Sequence, residues 1–249
     1  MQKVLILTPA KNANAYVDGY FDRLCSLTFD HSQISVAILE SDSTDKTYEI
    51  LQQRVEALQT QFRSLKLFKR DYNLKQPLKL ERWDSAWQLA RRSILARSRN
   101  QLLFRALDDE EWVLWLDIDV IEYPADLLER LLQLQLDIVH PECVREYGGA
   151  SFDRNAWKDD GRLHMQDLRG TGRPVRIDSV GGTALLVRAD LHRDGLVFPC
   201  FRYGIESQVI RRQHPLWGKG EIETEGLAAM ARDMGIQCWG LPDLEILHA

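Results

Sequence analysis

Apolar residues along this chain gather into short continuous runs separated by amphipathic stretches. Val4–Leu7, Ile34–Leu39 and Trp112–Leu116 are near-unbroken apolar runs. Runs of this length, bounded by polar residues, predict strands buried on both faces. Leu65–Phe68 is a shorter strand candidate. Between them, residues 15–27, the stretch from about Ser43 or Thr44 to Phe62, and Trp83–Leu107 carry helical spacing, with Ser43 or Thr44 as the expected N-cap of the second helix. This βαβαβαβ rhythm predicts an α/β fold with a doubly wound, mostly parallel sheet. The second half is less regular. Residues 141–180 are rich in Gly, Arg and Asp and read as a long loop; Gly181-Gly182 opens a strand to Arg188; residues 224–234 read as a helix closed by Gly235. Residues 236–239 and 245–247 are two further short strand candidates, with His248 following the last.

In parallel sheets ligands bind beyond the carboxyl ends of the strands. Three polar clusters fall there: Thr8-Pro9, the ESDSTD segment Glu40–Asp45, and Asp117-Ile118-Asp119. Two carboxylates one residue apart at a strand end are expected to point to the same side. They repel unless a cation lies between them, and a hard divalent ion carrying a diphosphate is the natural occupant. The alternative is that one Asp caps a helix and the other is solvated. Glu40–Asp45 has more carboxylates and hydroxyls than capping needs, and suits the hydroxyls and base N–H of a nucleoside.

Arg97, Arg99 and Asn100 lie on the helix before the DxD strand, where guanidinium groups can grip phosphate; a solvated basic face is the alternative, and it is the reading taken for Arg91 and Arg92. No GxxxxGK or GxGxxG loop is present. Glu223 and Glu225 open the helix of residues 224–234, either as favourable charges in a first turn or as groups addressing a sugar or an acceptor hydroxyl. His248 can join a metal only if the last strand returns to the DxD edge. Trp157 and Trp217, in polar loops, are candidates to stack on sugars, and Phe198, Phe201 and Tyr203 face either an acceptor, a dimer partner or the core.

The chain has 249 residues, 45% hydrophobic and 28% charged, with net charge −5, so one soluble α/β domain is expected and general nucleic-acid binding is disfavoured. The expected division is a nucleotide-sugar half, 1–120, and an acceptor half, 121–249. Four scattered cysteines form no CxxC pair, arguing against a zinc site or a disulfide framework. No stretch is long enough for a signal or a membrane span, so a cytoplasmic protein is expected, with peripheral membrane contact and homo-oligomerisation left open.

In order, LTPAKN, SDSTDKT, ARSRN, WVLWLDIDV, a GG-led strand, ETEG and a late His resemble a nucleotide-sugar glycosyltransferase of the GT-A fold. More closely, ILTPAKNA, SDSTDKT, ARSRN, WLDIDVIEYP, GGT and IETEGLA are similar to blocks of the fungal mannan-polymerase mannosyltransferases, glycosyltransferase family 62. The resemblance covers nearly the whole chain. It implies a GT-A sheet with a smaller mixed acceptor-side region, and metal-dependent transfer of mannose from GDP-mannose with retention, to a glycan or lipid-linked acceptor. Asp117, Asp119 and His248 would hold Mn²⁺ or Mg²⁺. Thr8, Pro9, Asn12, Glu40, Asp42, Ser43, Arg97, Arg99, Asn100 and Gly182 would bind the nucleotide sugar, and Asp117, Asp119, Glu223 and Glu225 would be catalytic. Fungal members carry an N-terminal membrane anchor; this sequence opens directly on the first strand, so a compact bacterial-type relative without the anchor is expected. Family-2 GT-A enzymes share much of the layout, so an inverting transferase using a UDP-sugar is the alternative, as is a non-catalytic nucleotide-sugar-binding protein. Sugar-nucleotide synthesis would want a glycine-rich loop after the first strand, and LTPAKNANA has none.

Overall fold

The computed structural model describes residues 2–74, 85–204 and 218–249. Its first part alternates strand and helix: β1 (Val4–Ala10), α1 (Val17–Cys25), β2 (Ile34–Glu40), α2 (Thr47–Leu58), β3 (Ser64–Lys69), α3 (Ser85–Ala106) and β4 (Trp112–Leu116). Then come β5 (Val120–Glu122), α4 (Leu127–Leu132), β6 (Ile138–Val144), β7 (Trp157–Lys158), β8 (Leu163–His164), β9 (Val175–Ile177), β10 (Ala184–Arg188) and α5 (Ala189–Arg193). The last elements are α6 (Glu223–Asp233) and β11 (Cys238–His248).

Among the described residues one nine-stranded sheet runs β3-β2-β1-β4-β10-β6-β11-β5, with β9 paired to β11. β1, β2, β3 and β4 are mutually parallel, as are β6 and β11, while β10 runs antiparallel between the two blocks. The apolar strands serve two cores by simple alternation. Val4, Ile6, Trp112 and Leu114 face one layer with α1, α2 and α4, whereas Leu5, Leu7, Val113 and Trp115 face the layer of α3 and α6.

Prolines account for two differences from the sequence reading. β1 continues through Thr8 and Pro9, because its pairing with β4 stops at Leu7 while that with β2 runs to Ala10, so Pro9 forfeits no bond toward β4. The expected long loop from Pro141 in fact begins inside a fully buried strand, β6. Pro141 lies past the β10 pairing and opposite Leu241, where β11 itself slips register before Glu245. The two short strands expected over residues 236–239 and 245–247 are accordingly one irregular strand, β11, which starts at Cys238. The helix expected from Trp83 is described from Ser85; Trp83 and Trp217 lie outside the described residues. Among the described residues no helix is long and apolar enough to cross a membrane.

Candidate active site

Because β1, β2 and β4 are parallel, their carboxyl ends share one edge of the sheet, and the three polar clusters meet there. β4 stops at Leu116, and Asp117-Ile118-Asp119 is a turn, closed by Val120 N donating to Asp117 O at 3.2 Å. The two carboxylates therefore do not project side by side by strand alternation, as expected, but take different partners. Asp117 Oδ1 accepts from Arg99 at 3.2 Å, and Asp119 Oδ1 is 3.2 Å from His248 Nε2. β11 brings the histidine back: His248 pairs antiparallel with Val120, and Ala249 N donates to Asp119 O. Phe152 stacks on the His248 ring with centroids 3.8 Å apart.

Arg99 is only 2% exposed. Its fork is spent inside the protein, on Asp117, on the Gly182 carbonyl at 3.2 Å and on the carboxylate of Glu223, and its guanidinium lies over the Phe198 ring. Arg99 is thus an internal strut, not the open phosphate clamp suggested by the sequence; Arg97, two residues back, is the exposed member. Asn100 is also turned inward, donating to Phe198 O at 2.7 Å and accepting from Phe198 N at 2.9 Å. Both backbone groups of Gly182 are used, its carbonyl by Arg99 and its amide by Asp153, so Gly182 shapes the site without offering a free donor. Thr8 is likewise interior: Tyr20 donates to its hydroxyl, which donates to Leu116 O, both at 2.7 Å.

On the nucleoside side, Glu40 is buried at the end of β2 and accepts from Ser43 N at 3.0 Å, with Lys69 Nζ at 3.4 Å. Ser43 does not cap α2; its hydroxyl accepts from Asn12 N, and Asp45 accepts from Thr47 N at the helix start. Asn12 accepts in turn from Thr44 N, and Asp42 accepts from Tyr72 N and Asn73 N. Asn12 and Asp42 both have positive φ, 49° and 53°, conformations Asn and Asp tolerate better than most residues. Pro9 is half-buried beside this loop pair.

Glu223 and Glu225 sit at the first turn of α6. Arg92, expected as a solvated charge, instead bridges them, 2.7 Å from Glu225 and 3.9 Å from Glu223. Phe198 is core, packed edge-on to Trp115, while Phe201 is exposed and Tyr203 donates to Asp233.

Asp153 carried no motif and escapes sequence reasoning. It is buried and accepts from Gly182 N, Thr183 N and the Thr183 hydroxyl at 2.8–3.2 Å, and a Cβ on Gly181 would stand 1.9 Å from its carboxylate. Only the GG pair signalled it, because two glycines in a buried turn imply close approach by something. Despite burial, which acts the other way, the neighbouring His140 imidazole and hydrogen bonds from the backbone hold the Asp153 carboxyl well below its usual range.

Electrostatics bear on metal binding. Burial pushes the Asp117 carboxyl up to about 6, with Arg99 opposing and Asp119 and Asp153 adding to the rise. For His248 burial lowers the pKa, but the Asp119 hydrogen bond, the Ala249 carbonyl and the Asp119 and Asp117 charges together outweigh it and the net shift is upward. The partly exposed Asp117 and Asp119 carboxylates beside the His248 imidazole form a donor set that suits a divalent cation such as Mn²⁺. The 3.2 Å between Asp119 and His248 matches adjacent ligands of one ion, which stand about 3 Å apart for bonds of ~2.1 Å. As they stand, no three His, Cys, Asp or Glu side chains among the described residues form a ready ion cage.

A mixed sheet of this order with an acidic turn after β4 defines the class as a GT-A glycosyltransferase fold. The mannosyltransferase PcManGT from Pyrobaculum calidifontis, solved in complex with GDP-Man and Mn2+, superposes with a TM-score of 0.58 at 15% identity, over 99% of this chain and 56% of that one. S. aureus TarS 1-349 in complex with UDP gives 0.57 at 17% identity, over 99% and 60%. At the sequence level a model of the Anp1 family matches residues 1–167 and 159–202, and the chain belongs to the Anp1 family. The mannan polymerase II complex anp1 subunit of Schizosaccharomyces pombe is 28% identical over 99% of this chain and 64% of its own length. The mannan polymerase complex subunit MNN9 of Candida albicans is 28% identical over 99% and 74%. The chain thus spans just under two thirds of the first of these relatives.

Proposed function

We propose that this chain is a metal-dependent glycosyltransferase that moves mannose from GDP-mannose, with retention, to a hydroxyl of a glycan or lipid-linked acceptor. The observation that carries the reading is the meeting of Asp117, Asp119, Arg99 and His248 at the carboxyl edge of the sheet. Kinship with mannan polymerase subunits, and a fold neighbour solved with GDP-Man and Mn2+, favour the donor.

Asp117, Asp119 and His248 would hold the ion, which supplies neutralisation of the charge gathering on the departing nucleoside diphosphate. The chain's own residues do the rest. Arg99 fixes Asp117 and Glu223 in one buried frame, and Asp153 fixes the Gly181-Gly182 turn against it. Glu40, Asp42, Ser43 and Asn12 shape the loop pair that would receive the nucleoside, with Arg97 exposed on the neighbouring helix. Glu223 and Glu225 are both paired to guanidinium groups, so neither carboxylate stands free to take the acceptor proton. That pairing fits a retaining reaction, in which the acceptor proton can pass to the leaving diphosphate, better than an inverting one.

A thermal-shift panel with Mn²⁺ and GDP, UDP, CDP or ADP tests the donor, since a ligand bound only by the folded state raises its stability. A metal-dependent shift with GDP is expected; a shift with UDP alone would remove GDP-mannose and leave the inverting UDP-sugar alternative.

A further inference from the structure

Beyond the Arg99–Glu223 pair a second cleft opens at the first turn of α6. Trp157, Asp178, Glu221, Glu225 and Arg232 line it. The indole N–H of Trp157 donates to Glu225 Oε1 at 3.2 Å, and Arg92 holds the other carboxylate oxygen at 2.7 Å. The Trp157 backbone is fixed as well, by pairing with His164 and a bridge to Ser179. The ring is therefore a rigid, half-buried wall, not a mobile surface side chain. Arg92 also touches Glu223, which meets Arg99, so one guanidinium joins this cleft to the proposed reaction centre.

The chemistry of the walls selects the occupant. Four carboxyl residues, Asp160, Asp178, Glu221 and Glu225, face Lys219 and Arg232, and Arg92 holds Glu225. Such a lining has no excess of positive charge to hold a nucleoside diphosphate. It suits a neutral molecule rich in hydroxyl donors, since carboxylates are acceptors. An aromatic wall beside converging hydroxyl partners is what a pyranose presents in reverse, with its C–H face apolar and its edge polar. A neighbouring groove past Leu89, Arg92 and Arg202 shares Lys219 and Glu221 with this cleft, which lengthens it beyond one sugar.

We propose that this cleft is the acceptor subsite, seating a neutral pyranose of a glycan against the Trp157 indole with its hydroxyls on Glu221 and Glu225. The inference rests on the sugar-transfer reading, yet it can be tested apart from it. Saturation-transfer NMR with methyl α-mannoside and an α-linked mannobiose is run on wild type, Trp157→Ala and Glu221→Gln, each also tested for the thermal shift with Mn²⁺ and GDP. The expected result is tighter binding of the disaccharide than the monosaccharide in wild type. A loss of about tenfold or more follows in Trp157→Ala, and a smaller loss in Glu221→Gln, with the GDP shift retained. Should Trp157→Ala fail to fold, Glu221→Gln decides alone. Saccharide binding unchanged in the folded variants, or absent from a wild type that still shifts with GDP, overturns the proposal. Trp157-dependent saccharide binding without any nucleotide shift would uphold the cleft and remove the donor reading instead.

Discussion

His248 Nε2 lies 3.2 Å from Asp119 Oδ1, joining the end of β11 to the turn after β4 across 129 positions of sequence. The pair is seated, not loose: Phe152 covers the imidazole and Ala249 N holds the Asp119 carbonyl. It is the point at which the fold's two blocks of strands meet the proposed chemistry.

Replacing Asp119 with Asn keeps the shape and removes the charge. Sugar transfer should fall by about 10²-fold or more, the range for losing one group that stabilises a developing charge. Circular dichroism should be unchanged. Transfer at the wild-type rate would exclude Asp119 from the site.

Arg99, itself sealed, compensates two acids, the buried Glu223 and the partly exposed Asp117. Removing one partner of a buried ion cluster leaves charge without compensation, so Arg99→Leu should destabilise the fold by roughly 3–5 kcal/mol. A urea-unfolding midpoint within error of wild type would contradict the strut.

Gly182 has no space for a methyl group: a Cβ there would be 2.3 Å from the Arg99 guanidinium. Gly182→Ala should displace Arg99 and cost about 1–3 kcal/mol by overpacking. Because Arg99 positions Asp117, activity should fall beyond what the stability loss explains, which a comparison of residual activity with folded fraction would show.

Glu142, on β6, is a buried acid outside the proposed site whose titration bears on stability. Burial pushes it up to about 7 from 4.5, against the Ser151 hydrogen bond and Arg169. A raised folded-state pKa favours the protonated form in the native protein. Its contribution is therefore fully present below pH 4.5 and is lost as pH rises through 7. Glu142→Gln should flatten that decline, so its stability relative to wild type grows between those limits. Parallel unfolding profiles for the two proteins across this window would refute the assignment.

How much of this was readable from residues depended on the kind of signal. β1, β2 and β4 were legible because a sheet covered on both faces demands continuous apolar runs, and their shared carboxyl edge followed from the alternation with helices. β6 was not, because Pro141 looks like a loop signal unless its position beyond the β10 pairing is known. Polar residues were legible as polar and not as facing: Arg97 and Arg99 differ by two positions on one helix, yet one is exposed and the other sealed. Arg92 looked like surface charge until α6 supplied its two acids. Asp153 itself carried no motif; the GG pair signalled only that something approaches closely, and its partners lie 29 and 30 residues away.

The most direct test of the central claim is release of GDP from GDP-mannose in Mn²⁺, with and without methyl α-mannoside. The account predicts metal-dependent release that the added sugar accelerates and that Asp119→Asn lowers by about 10²-fold or more. A folded protein that leaves GDP-mannose intact with every divalent ion and sugar tried, or an Asp119→Asn variant that releases GDP as fast as wild type, would contradict it.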